Sequence, residues 1–343
     1  MRIQKTNLSN EKIEKILREE YNIVPNKIIE INRGTANIFK IDTDIKSYIL
    51  KEFNQKRTVE SVKKEIDIIN FLKKKKICVP QYIKTINNSF YIINEDRIII
   101  LQEYIDGYTM ENNTGDYEKV IESATILGKL TKEMSYYPKL SEEGIIEKNF
   151  SKENILKKIK NMEQLKEELN DDNIYKEKFE QDLNYKIMIS KEIYEKFDFN
   201  IVRKLTIVNT HGDFSVQQLI YNDNKETTVI DFETAKKMPI VWEVMRSYSY
   251  VDKEAKNGDL NIDTLVDYFK EFTKYAKLNE YDFKYAPHLY LIQLSSSAFG
   301  YKEYNKDYTQ KGLLEFAFFR TNLCKFLYEN LDEISHRLST EIK

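Results

Sequence analysis

Cysteine, proline and glycine are scarce in this chain. There are only two cysteines, Cys78 and Cys324, far apart and outside any Cys-x-x-Cys or Cys/His cluster. That excludes a disulfide framework and a zinc site of the common spacings. No run of about 18 apolar residues occurs, so no helix is expected to cross or partner a membrane. The opening segment MRIQKTNLSNEKIEKIL turns charged and amphipathic where a secretory signal would need an apolar core, and the chain reads as cytoplasmic. An excess of one charge is also missing: 54 Lys and Arg stand against 56 Asp and Glu. Without a basic footprint nucleic acid is not an expected partner, and a small molecule is. Nothing in the composition bears on oligomeric state.

What is present suffices for folding. With 343 residues, 41% of them hydrophobic, the chain can bury at least one full core and has room for two lobes. A helix opens it, with Ile13, Ile16 and Leu17 on one face and Ser9 or Asn10 as cap. KIIEIN (27–32), NIFKID (37–42) and SYILKEF (47–53) read as successive antiparallel strands, because branched and aromatic residues are bounded by RGTA and DTD turn signals. A helix follows from Val59 to Lys75, and Pro80 punctuates its exit. Strand-like runs FYII (90–93) and RIIILQEY (97–104) then end at Asp106-Gly107.

The N-terminal part thus predicts a five-stranded antiparallel sheet with one inserted helix. From Asp116 onward the apolar positions, Ile121, Ala124, Leu127 and Leu130 among them, recur at helical steps. The expected organisation is α+β and bilobal: residues 1–105 form an N-terminal lobe built on this sheet, and residues 106–343 a mainly helical C-terminal lobe.

The chemistry concentrates in HGDFSVQQLIY followed by VIDFETA. Asp213 precedes Gln218 by five positions, and Asp231 lies thirteen further on, at the end of an apolar strand. Phosphoryl transfer by a kinase needs one carboxylate to orient and accept the proton of the attacking hydroxyl. It needs an amide oxygen and a second carboxylate to hold magnesium on the phosphates. The spacing supplies all three. A tight turn capped by Asp213, with a buried strand ending at Asp231, is the bland alternative.

On these two motifs the chain resembles the aminoglycoside phosphotransferase and choline kinase superfamily, and in element order the resemblance extends over most of its length. The resemblance implies a protein-kinase-like fold with Asp213 as catalytic base, Asp231 as a magnesium ligand, and His211 as a residue that shapes the loop. The second metal position usually carries Asn in that superfamily. Here it is Gln218, which keeps the amide oxygen and adds one methylene.

Upstream, Lys51 at the end of the third strand and Glu65 on the following helix stand where kinases place the phosphate-binding lysine and its carboxylate partner. Glu60 is a rival for the second role. Gly34 and Thr35 occupy the position of a phosphate-covering loop. Gln102, Glu103, Tyr104 and Ile105 form the expected hinge, whose backbone would hold the purine of ATP or GTP.

The expected activity is Mg2+-dependent transfer of a γ-phosphate to a hydroxyl of a small molecule. The acceptor is open between an aminoglycoside or other antibiotic and a metabolite such as choline, homoserine or methylthioribose. A catalytically weak kinase-like protein with a binding or spore-coat-type structural role is the alternative from another class, favoured by Gln218 and the glycine-poor loop. A protein kinase is disfavoured, since no Ala-Pro-Glu segment follows Asp231.

Overall fold

The structure is a computed structural model that describes residues 8–31, 36–138, 140–141, 144–170, 172–223 and 225–342. The chain forms two compact units. The first comprises the residues up to Thr109 together with Gln218–Glu233, and the second Met110–Gln217 with Thr234–Lys343.

In the first unit, α1 (Asn10–Tyr21) is capped by Ser9, whose hydroxyl accepts the Lys12 amide, and ends at Asn22 in the left-handed region. Its buried face of Ile13, Leu17 and Tyr21 packs with Phe39, Ile41, Tyr48, Leu50, Ile99 and Leu101. Those partners come from β2 (Asn37–Asp42), β3 (Ser47–Glu52) and β6 (Arg97–Glu103), which share a sheet with β1 (Lys27–Ile31), β4 (Tyr82–Ile83) and β5 (Ile92–Asn94). The strand order is β1-β2-β3-β6-β4, with β5 also on β6, and every pairing is antiparallel. The period-2 alternation of β3 buries Tyr48, Leu50 and Glu52 and puts Ser47, Ile49 and Lys51 on the other face. Helix α2 (Val59–Lys74) follows, capped by Thr58.

Among the described residues the sheet therefore has six strands where the sequence pattern predicts five. The added β4 is two residues long, too short for any alternation to register. Gln81 fixes it: its carbonyl accepts the Glu103 amide at 2.9 Å, and its amide donates to the Glu103 carboxylate at 2.6 Å.

Numbering in chain order continues with helices α3 (Tyr117–Met134), α4 (Ile145–Asn149), α5 (Lys152–Glu167) and α6 (Lys176–Lys196). Strands β7 (Ile207–Thr210), β8 (Leu219–Asn222), β9 (Lys225–Val229) and β10 (Lys236–Pro239) come next. The chain closes with α7 (Ile240–Val251), α8 (Ile262–Thr273), α9 (Glu280–Ser295), α10 (Tyr301–Lys306), α11 (Lys311–Glu329) and α12 (Leu331–Glu341).

The β8–β9 hairpin departs from the expected division, since it joins the first unit. Tyr221 and Tyr108 exchange backbone hydrogen bonds of 2.8 and 3.0 Å, and the Val229 amide donates to Cys78 O at 2.9 Å. A Cβ on Gly107 would stand 2.2 Å from Tyr221 O, so this crossing requires glycine.

In the second unit β7 and β10 pair antiparallel. Nearly every residue of α7 is buried, which makes it the central helix of the unit. The charged stretch after Ser141 forms helices as its pattern predicts, with Ile155, Ile159 and Met162 of α5 buried. Among the described residues no helix is long and apolar enough to cross a membrane.

Candidate active site

The functional side chains fall into two sets, one in each unit. In the first unit Lys51 Nζ lies 3.7 Å from Asp231 Oδ1. Burial opposes the lysine charge, but the carboxylates of Asp231, Glu65 and Glu233 outweigh it and hold the ammonium above the ordinary lysine range. Asp231 sits at φ 68°, a left-handed conformation that costs a non-glycine residue energy and concentrates at functional sites. Its carboxylate is 43% exposed.

Glu65 is only 2% exposed, whereas Glu60 lies exposed in the first turn of α2. The helix face thus selects Glu65 as the inward carboxylate. Its oxygens are taken by Arg57, at 2.5 Å, and by the Tyr82 hydroxyl, at 2.9 Å. Arg57 also reaches Glu233 at 3.3 Å. Glu65 therefore supports Lys51 through the field of the cluster, with Arg57 as its ion-pair partner. Burial pushes the Glu233 carboxyl up, against the pull of Arg57 and Lys51.

The other expected residues of this unit are placed as follows. Gln218 O accepts the Ile230 amide at 2.9 Å, so Gln218 stands across the hairpin from the residue that precedes Asp231. Two oxygen-bearing side chains, an amide and a carboxylate, thus start from neighbouring backbone, a donor set suited to a hard divalent cation that keeps waters and phosphate oxygens as its other ligands. Gln102 and Glu103 end β6, and Tyr104 and Ile105 follow it. The amides of Glu103 and Tyr104 are engaged by Gln81 O and Ser47 O, and Lys40 lies 4.4 Å above the Tyr104 ring. Gly34 and Thr35 lie outside the described residues.

In the second unit the His-Gly-Asp loop follows β7 and is held by one buried carboxylate. Glu243, on α7, accepts the amides of Gly212 at 2.6 Å, His211 at 3.1 Å and Phe214 at 3.4 Å. Burial raises its pKa, and the neighbouring His211 and the amide bonds offset part of that rise. Gly212 has φ +84°, and a Cβ there would stand 2.2 Å from Thr234 O, so the turn admits only glycine. His211 is fully buried against Phe214, consistent with a shaping role.

Asp213 is 40% exposed, and Arg246 grips its Oδ1 while donating to Phe214 O at 2.9 Å. Burial works against the Arg246 charge, but Asp213 more than restores it. Among the described residues Arg246 thus fixes one oxygen of the Asp213 carboxylate, Oδ1.

Sequence reasoning missed Arg57, Glu233, Tyr82 and Arg246. Arg246 follows Glu243 by one short helical step, and Glu233 stands two residues after Asp231 within VIDFETA; those are the local signals among them.

The chain belongs to the phosphotransferase enzyme family (APH), whose model matches residues 27–281. Its fold is α+β, with an antiparallel sheet in the N-terminal part and a mainly helical C-terminal part.

Among solved structures it is similar to spectinomycin phosphotransferase, APH(9)-Ia, in complex with ADP and spectinomycin. The identity is 16%, 95% of this chain and 100% of that chain are covered, and the TM-score is 0.67. An aminoglycoside phosphotransferase from Alicyclobacillus acidocaldarius is 13% identical over 97% of this chain and 98% of its own, at a TM-score of 0.67. A microcompartment-associated aminopropanol kinase is 11% identical over 96% and 100%, at 0.61. No curated protein matches the chain by sequence.

Proposed function

We propose that this protein transfers the γ-phosphate of ATP or GTP to a hydroxyl group of a small molecule, in the cytoplasm. The observation that carries the reading is the Lys51–Asp231 pair, with Asp231 held in a left-handed backbone next to Gln218. Lys51 binds the phosphates, and Glu65 with Arg57 keeps the surrounding charge balanced. The hinge segment holds the purine, and the Ile105 amide is its remaining donor once those of Glu103 and Tyr104 are engaged.

Asp231 and Gln218 would hold Mg2+, which when bound neutralises charge developing on the phosphate oxygens. Asp213 orients the acceptor hydroxyl and takes its proton on Oδ2 as the oxygen attacks phosphorus. Arg246 fixes the rotamer of that carboxylate, and Glu243 fixes the loop. Positioning of this kind suits a loose transition state, in which the nucleophile needs little prior deprotonation.

The test is turnover against a panel of hydroxylated acceptors. Asp213→Ala is expected to lose about 10²–10⁴-fold in rate, the usual span for a general base, with its fold intact. Near-wild-type turnover by that variant would remove Asp213 from the mechanism.

A further inference from the structure

ATP and GTP differ at position 6 of the purine, where adenine carries an amino group that donates and guanine a carbonyl oxygen that accepts. A protein group fixed as an acceptor admits the first, and one fixed as a donor the second.

Cross-strand partners share a face of a sheet. Beside the row that holds Lys51, the same face of the first unit's sheet carries a second row: Lys40, Ile49, Gln102 and Tyr82, paired across β2, β3, β6 and β4. The two rows are two residues apart along each strand, about 6.6 Å at the usual rise. Gln102 is the penultimate residue of β6 and stands three positions before Ile105, whose amide is the remaining backbone donor of the hinge.

The other polar groups of this row are committed. The Tyr82 hydroxyl donates to Glu65 at 2.9 Å, and Lys40 lies 3.3 Å from the Asp42 carboxylate and 4.4 Å above the Tyr104 ring. Gln102 is half-buried, and among the described residues its side-chain amide makes no hydrogen bond. An amide withdrawn from water with donor and acceptor both open is poised for a ligand that supplies the missing partner. Nothing in the row fixes which of Oε1 and Nε2 faces outward, and the terminal torsion of glutamine is broad and two-fold.

We infer that Gln102 reads position 6 of the donor's purine and, by turning its amide over, accepts ATP and GTP alike. To adenine it presents Oε1, which takes a hydrogen from the 6-amino group. To guanine it presents Nε2, which donates to the 6-oxygen. The Ile105 amide does not discriminate, because adenine N1 and guanine O6 both accept. Ile49, the half-buried partner of Gln102 on β3, offers the ring an apolar seat. This deepens the phosphotransferase reading and rests on it.

The test is calorimetry of the full-length protein in saturating Mg2+ with ATP, GTP and purine riboside 5′-triphosphate, which carries only hydrogen at position 6. The wild type is expected to bind ATP and GTP within about tenfold of each other, and both about two- to tenfold more tightly than the unsubstituted nucleotide, the scale of one neutral hydrogen bond. Gln102→Met, close in size, should weaken ATP and GTP by that factor and leave purine riboside triphosphate unchanged. Gln102→Glu, an acceptor only, should shift the ratio of affinities toward ATP by at least about tenfold, the scale of a charge-assisted hydrogen bond, and Gln102→Lys, a donor only, toward GTP by as much. Opposite shifts at one position are not the mark of a packing role. Lys51→Met should weaken all three nucleotides by a common factor.

A wild-type preference for one purine above about tenfold overturns the inference, as does a ratio that the Glu and Lys variants move in the same direction or leave in place. If the charged variants fail to fold, Gln102→Met decides alone, and wild-type affinity for ATP and GTP in that variant overturns the inference. Nucleotide binding without any dependence on Gln102 overturns this inference alone. No binding of any of the three to the wild type overturns the phosphotransferase reading and this inference with it.

Discussion

The two halves of the chemistry are held in place by different means. In the first unit five charged side chains, Lys51, Arg57, Glu65, Asp231 and Glu233, crowd together and position one another by ion pairs. In the second, a single buried carboxylate, Glu243, positions backbone through three amide bonds, and one arginine steers Asp213. On the proposed reading, groups that bind a highly charged ligand are balanced by opposite charge, whereas the group that meets a hydroxyl at one angle is fixed through its peptide. On that reading the first arrangement should be sensitive to removal of a charge, the second to loss of the Asp213 carboxylate.

The Asp213→Ala loss of turnover is the largest expected effect. Arg57→Met comes next: it strands Glu65 at 2% exposure, and breaking a buried pair from one side costs about 3–5 kcal/mol. Denaturant unfolding should show that loss in the first unit, with Glu65→Gln in the same background recovering part of it. A loss under about 1 kcal/mol, the range of exposed ion pairs, would mean that the cluster is solvated and holds nothing in place.

A smaller effect separates the units by pH. Burial pushes His288 of α9, packed by Phe197 and Tyr285, down to about 4. The unfolded chain takes up a proton near the ordinary histidine value of 6.5, whereas the folded state resists it until about 4. Stability therefore falls as pH drops through that window, by up to about 3 kcal/mol from this group. Unfolding free energies of wild type and His288→Phe at pH 7 and pH 4.5 should differ in slope, the variant losing less. Parallel slopes would mean that His288 is hydrated.

The smallest effect concerns Gln218. If its amide oxygen holds metal, Gln218→Ala should raise the magnesium concentration needed for activity, while Gln218→Asn is tolerated. Superimposable magnesium titrations of the wild type and both variants would restrict that role to Asp231.

Much of this was legible because it is local. The Ser9 cap, five strands of the sheet, α2 and the Asp213 and Asp231 positions follow from spacing and alternation within short windows. The inward direction of Glu65 follows from α2 geometry. Arg57 lies in the turn before α2 and takes meaning only when Glu65 and Glu233, the latter 168 positions from Glu65, come together around it. The strand Tyr82–Ile83 and the affiliation of the β8–β9 hairpin likewise depend on partners distant in sequence, Glu103, Tyr108 and Cys78.

The division of labour between the two sets is tested most directly by calorimetry of MgATP and adenosine binding to the wild type, Lys51→Met and Asp213→Ala. Lys51→Met should weaken MgATP by at least about tenfold, the scale of a charge-assisted contact, and leave adenosine unchanged. Asp213→Ala should bind both as the wild type does. Equal losses of MgATP and adenosine in Lys51→Met, or a MgATP loss in Asp213→Ala as large as that in Lys51→Met, would contradict the account.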